Sequence, residues 1–146
     1  MKDIHLIFGV ITIALTAAAG AWGAWCWWRV RASAWFWRLL RASQVAVVIQ
    51  AALGGVLLLM HRKAPGLHDL YGVLPLIVSF IAEQLKISSA QMVLDQQGFE
   101  SAAAVGKLPS EEQQEIVVAI LQREVAVMVL AALVNVVLLA RAAMTG

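Results

Sequence analysis

The chain has 146 residues, of which 62% are hydrophobic and 14% charged, and its formal net charge is +2; the mean hydropathy is +0.81. A water-soluble domain carries about 25% charged and about 45–50% apolar residues, so this composition excludes a soluble enzyme and equally a disordered chain. One cysteine, Cys26, excludes an intramolecular disulfide, a CxxC redox pair and a cysteine-based zinc knuckle, and the small positive surplus on so apolar a chain excludes a nucleic-acid binder.

A helix needs roughly 20 mostly apolar residues to cross the hydrocarbon of a bilayer. The first such stretch, 4–28, contains no charge, and His5, Thr12 and Thr16 are its polar side chains. Lys2 and Ala17-Ala18-Ala19 imitate a cleaved leader, but the apolar run continues through Trp22, Trp25, Trp27 and Trp28, too long for one. Cys26 reads as a membrane-facing thiol. The segment that follows carries Arg29, Arg31, Arg38 and Arg41 and no acid. An excess of arginine marks a cytoplasmic loop, so both termini are expected outside. Trp27, Trp28, Trp35 and Trp37 then form an aromatic belt at the cytoplasmic interface.

The second span is predicted over 42–60, with Ser43, Gln44 and Gln50, and is followed by a short outer loop holding Arg62 and Lys63. The third, 68–86, contains Ser79, Glu83 and Gln84, and Pro75 should bend it. A polar region, 87–115, separates it from the fourth span, 116–141. Within that region Ile87, Met92, Val93 and Leu94 keep a helical pattern until Gly98 can stop it. Ser110-Glu111-Glu112-Gln113 reads as a capping box, with Glu115 adding acid to the first turns. The last two long helices are thus expected to project together into the cytoplasm as a hairpin. The expected fold is one all-α domain: an antiparallel four-helix transmembrane bundle in the inner (plasma) membrane, with the lipid bilayer as its first partner.

Small and polar side chains mark helix contacts in lipid. At helical spacing they are His5, Gly9, Thr12, Thr16, Gly20 and Gly23 in the first span, and Ser43, Val47, Gln50, Gly54, Leu57 and His61 in the second. The third span gives His68, Gly72, Pro75, Ser79 and Glu83, and the fourth Glu124, Met128, Ala131, Asn135, Leu138 and Ala142. A Glu83–Arg123 pair is expected to offset the cost of holding both charges at the boundary.

His5 opens the first span, His61 closes the second and His68 opens the third, so all three lie on one side. Imidazole is a common neutral ligand for heme iron, zinc and copper. His5 and His68 begin helices that run the same way, and two such rings can clamp heme b from its two faces. Gly54 and its neighbours make room, and Arg62 or Lys63 can meet propionates. The three histidines together are also a candidate copper or zinc set. Purely structural histidines, bonded to neighbouring carbonyls, are the third possibility.

The stretch Gln50-Ala-Ala-Leu-Gly54-Gly55-Val, a short outer loop, and then His68-Asp-Leu-Tyr71-Gly72 resembles one four-helix half of the heme A synthase family. The likeness covers spans 1 to 3. It implies a b-type heme held by His5 and His68 near the outer leaflet. The chain has the length of one half, His5 lacks the following arginine, and the outer loop has no acid suited to farnesyl-heme oxidation, so catalysis is not implied. The whole chain also resembles small four-span membrane proteins of actinobacteria, a likeness that implies no function.

These readings lead to a small bis-histidine heme protein for electron transfer or heme handling, acting alone, as a homodimer or beside a respiratory complex, with Gln50 tuning the iron. The alternatives are a cofactor-free accessory or assembly subunit that docks through its cytoplasmic hairpin, and a copper or zinc protein. No catalytic residue stands out.

Overall fold

In a bilayer no water is available to satisfy backbone N–H and C=O groups, so an apolar chain must close its hydrogen bonds within helices. A computed structural model describes residues 2–60 and 66–146, and it is helical with no strand among the described residues. The elements are α1 (Lys2–Trp28), α2 (Ala34–Leu59), α3 (Gly66–Gln96), the short α4 (Ala102–Val105) and α5 (Ser110–Thr145). The four longer helices are each long and apolar enough to cross a membrane.

The hydroxyls buried among them are satisfied locally. Thr12 donates to the Phe8 carbonyl at 2.8 Å, Thr16 to Thr12 at 2.7 Å and Ser43 to Leu40 at 2.9 Å. Such back-bonding lets a hydroxyl sit in an apolar helix without an orphaned donor. The outward faces are oily: Leu6, Ile7, Val10, Leu130 and Val137 are all exposed. Continuous apolar surface of this kind drives association in water and is ordinary against lipid tails. The molecule therefore fits a multi-pass membrane protein.

α5 packs along α3 and also against α1; α1 packs on α2, and the α2–α3 contact is the slightest of the four. Their shared core contains Phe36, Leu40, Ala82, Met128, Val129 and Ala132. Glycine lets α1 come close. A Cβ on Gly23 would lie 2.6 Å from Val129 Cγ2, with the Phe36 ring equally crowded, and one on Gly20 would lie 3.1 Å from Leu133 Cδ2. Pro75 is fully buried inside an unbroken α3.

Several sequence expectations are corrected. α2 starts at Ala34, eight residues before the expected 42, so Arg38 and Arg41 are helical residues rather than loop charges. The cause is a cap: the Ser33 hydroxyl accepts from the Phe36 N–H at 3.3 Å and from Trp22 Nε1 at 3.0 Å. The α1–α2 connection is therefore a tight turn. Arg31 N–H donates to the Cys26 carbonyl at 2.9 Å and Val30 N–H to Trp27 at 3.1 Å, with Val30 at φ 51°. This is a Schellman closure with a β-branched residue at the position glycine prefers. Cys26 faces inward, not to lipid: it is buried and lines a cavity of about 70 Å³ beside Val125 and Gln122.

α3 ends as expected. Gly98 has φ 78°, Phe99 N–H donates to Leu94 at 2.9 Å and Gly98 N–H to Asp95 at 3.1 Å. Leu94, Val105 and Ile116 form a small second core with Phe99, Leu108 and Ile120 around them. α5 starts at Ser110, but the capping box does not form. Pro109 occupies the cap position, and the Gln113 amide donates to the Gly106 and Leu108 carbonyls instead.

The expected Glu83–Arg123 pair is also absent. Glu83 instead binds Arg41, whose Nη2 lies 3.2 Å from Oε2, along with Gln44 at 3.0 Å and Lys86 at 3.4 Å. Register explains it. Ser79 meets Asn135, and Gln96 meets Arg123 at 3.4 Å, so numbers fall along α5 as they rise along α3. That puts Ala131, not Arg123, level with Glu83; Arg123 lies two helical turns away, about 12 Å.

Candidate functional site

One end of the molecule gathers chemistry from all four long helices. α1 brings His5, α2 brings Gln50 and Gly54, α3 brings His68, and the last turn of α5 brings the Ala142 carbonyl. The His5 and His68 rings face each other with centroids 6.0 Å apart and planes inclined at 64°. Both side chains are half-buried.

Each ring is held by a different device. His68 Nδ1 lies 2.8 Å from the Ala142 carbonyl oxygen. A carbonyl can only accept, so Nδ1 carries the proton and Nε2 keeps the lone pair. Gly146 makes that geometry possible, because a Cβ there would lie 2.6 Å from His68 Nδ1. The Gln50 amide nitrogen donates to the His5 carbonyl at 3.1 Å and lies 3.3 Å from His5 Nε2. Gly9 makes space for that amide: a Cβ on it would come within 2.9 Å of Gln50 Nε2. Gly54 sits under the His5 ring, where a Cβ would lie 3.4 Å from Cε1.

The accounting is not closed. His5 Nδ1 and Gln50 Oε1 are both buried with no hydrogen-bond partner. An unmet buried polar group costs about 1–3 kcal/mol, and here two of them belong to residues in contact with each other.

The site therefore unites four of the sequence-predicted residues, namely His5, His68, Gln50 and Gly54. Arg62 and His61 lie outside the described residues. Among the described residues no cluster of three or more His, Cys, Asp or Glu side chains is positioned to share a metal. The contribution of α5 was not foreseen. Its functional group at Ala142 is a backbone carbonyl, which leaves no residue-type signal, although Ala142 does fall on the inward stripe of the fourth span. Near this end Arg141 lies over the Tyr71 ring at 5.7 Å.

The opposite end is charged but closed. Arg41 and Lys86 both engage the Glu83 carboxylate, Gln44 bonds it as well, and Lys86 Nζ also rests over the Trp37 ring at 5.3 Å. Arg29 over Trp25 and Arg38 over Trp35, at 5.5 and 5.2 Å, continue a cationic and aromatic rim. Each of the charged side chains named here has a partner, and the Glu83 cluster ties α2 to α3.

Compared with protein families, curated proteins and solved structures, the chain finds no match. The functional reading therefore rests on the site itself.

Proposed function

We propose that this chain is a membrane-embedded bis-histidine b-type heme protein, serving electron transfer or heme handling, with His5 and His68 as the axial pair. The observation that carries the reading is the separation of the two rings. A metal–imidazole bond is about 2.0–2.1 Å and the ring centre lies about 1 Å beyond the nitrogen, so two imidazoles on opposite sides of one metal have centroids about 6 Å apart. The observed distance is 6.0 Å.

The donor set favours heme over a bare ion. Among the described residues two imidazoles come together, which would leave a zinc or copper ion short of ligands, whereas a porphyrin supplies four nitrogens of its own. The Ala142 carbonyl fixes the His68 tautomer so that Nε2 is free to coordinate, the familiar outer-shell arrangement of metal-bound histidine. His5 would coordinate through its unpartnered Nδ1 with the proton on Nε2, which a turned Gln50 amide would accept through Oε1. When bound, the iron would supply one-electron exchange. The chain's own residues would do the rest: His5 and His68 would hold the heme, Gln50 orients His5, and the oily helix faces would exclude water and so tune the potential.

In this reading the four long helices form an antiparallel bundle with both termini on the extracytoplasmic face of the plasma membrane. Arg29, Arg31, Arg38 and Arg41 mark the cytoplasmic side, and the small core around Leu94, Val105 and Ile116 holds a rigid hairpin there. The imidazole pair then lies beneath the outer surface, where Arg141 stands ready for a propionate.

The test is the visible spectrum of protein purified from heme-replete cells, air-oxidised and then reduced with dithionite. A Soret band with sharp low-spin bands on reduction is expected, lost in His5→Ala and in His68→Ala and retained in His61→Ala. Absence of any Soret band from protein with normal helical circular dichroism refutes the proposal.

A further inference from the structure

A second polar place lies deep among the helices, independent of the imidazole pair. Near the middle of α1 a cavity of about 10 Å³ is lined by Thr16, Ser43, Gln44, Ser79 and Asn135, with Met128 among its apolar walls. All four long helices contribute. Asn135 is 5% exposed, and its Nδ2 donates to Ser79 Oγ at 3.0 Å. Its Oδ1 is buried and has no partner.

The surrounding hydroxyls are biased in a definite way. The hydrogens of Thr16 and Ser43 are committed to the Thr12 and Leu40 carbonyls, so toward the cavity their oxygens can only accept. Ser79 accepts from Asn135, which leaves its own hydrogen to give. The site thus offers acceptors on Asn135, Thr16 and Ser43 and one donor on Ser79. One water molecule fits this set by giving its hydrogens to two of the three acceptors and accepting from Ser79, and about three bonds is the usual number for a buried water. The volume is near the minimum that one water needs.

A monovalent cation would find the same oxygens, but charge argues against it. No carboxylate lines the cavity. The acid bonded to Gln44 is Glu83, already outweighed by Arg41 and Lys86. A third positive charge at this depth would have no counter-ion, whereas a neutral water needs none.

We infer that this cavity is a hydration site, holding a single ordered water that joins Asn135 on α5 to Ser79 on α3 and to the hydroxyl oxygens of α1 or α2. The water serves as a polar cross-link that extends the direct Asn135–Ser79 bond to α1 or α2. The test is water-edited NMR of the full chain in lipid nanodiscs. It reads transfer from water to the Asn135 side-chain amide, first in choline buffer and then with sodium or potassium. A cross-peak between water and the Asn135 amide is expected, unchanged by either cation, and lost at Thr16 and Ser43 in Asn135→Leu. A resolved Asn135 amide with no water cross-peak overturns the inference. So does a sodium- or potassium-dependent shift of the same resonances, which assigns the cavity to a cation. The wild-type measurement decides the matter even if Asn135→Leu does not fold.

Discussion

Gly23→Ala is the sharpest single test of the packing. The added methyl would lie 2.6 Å from Val129 Cγ2 and 2.7 Å from Phe36 Cδ2, well inside van der Waals contact. Neither neighbour has room to retreat, since Phe36 is 1% exposed and Val129 6% exposed, both within the main core. Overpacking of such a site costs about 1–3 kcal/mol. Gly55→Ala makes the same chemical change at a helical position with no atom within 4 Å. There alanine should instead gain about 0.5–1 kcal/mol from helix propensity. The propensity gain is common to both positions, so Gly23→Ala is expected to be less stable than Gly55→Ala by about 1–3 kcal/mol. Equilibrium unfolding in mixed micelles, with dodecyl sulfate as denaturant and tryptophan emission as the signal, measures both. A second change that shortens the clashing ring, Phe36→Leu, should restore part of what Gly23→Ala loses. If Gly23→Ala is as stable as Gly55→Ala, α1 does not dock on α2 and α5 as described.

The same assay reaches three other features. Ser33→Ala removes the α2 cap and should cost about 1 kcal/mol, whereas Ser33→Asp should retain most of it. Val30→Gly relieves a β-branched residue at φ 51° and should gain about 1 kcal/mol; a loss would mean that the Val30 side chain makes a contact worth more than the strain. Arg41 and Glu83 have side chains 48% and 27% exposed, so a double-mutant cycle between them should return a coupling of about 1 kcal/mol or less. Arg123→Ala should show no coupling to Glu83, and a coupling there would restore the pairing expected from sequence.

The four long apolar helices were legible because lipid imposes a one-dimensional rule: enough apolar residues in a row must become a helix. Inward faces were legible for a related reason, since Thr16, Ser43 and Asn135 are each at a periodic position and each is buried. The limits of α2 were not. Arg38 and Arg41 look like loop charges in a string of letters, yet long arginine side chains at a boundary turn can carry their heads out to water or to a carboxylate while the backbone stays helical. Ser33 was the available signal, a good cap residue just before a run of tryptophan and phenylalanine. The partner of Glu83 could not be read at all, because it depends on the axial register of α3 against α5, and no local pattern encodes that. Cys26 was misplaced because a lone thiol fits an inward and an outward face equally well. At the imidazole site, alternation of direction was enough to bring His5 and His68 to one end. The closeness of the rings came from glycines and a carbonyl on α5.

Burial is unevenly shared among the long helices. In its most apolar stretch α5 is 44% buried, against 22% for α1, 17% for α2 and 11% for α3. Yet α5 is the last of the four to leave the ribosome. α1 and α2, joined by a five-residue turn, can enter the translocon as a ready-made pair, but α3 must wait beside them with few neighbours of its own. Until α5 arrives, Asn135 and the Ala142 carbonyl are missing, and neither polar centre exists. Docking of α5 is thus the step that completes both polar centres.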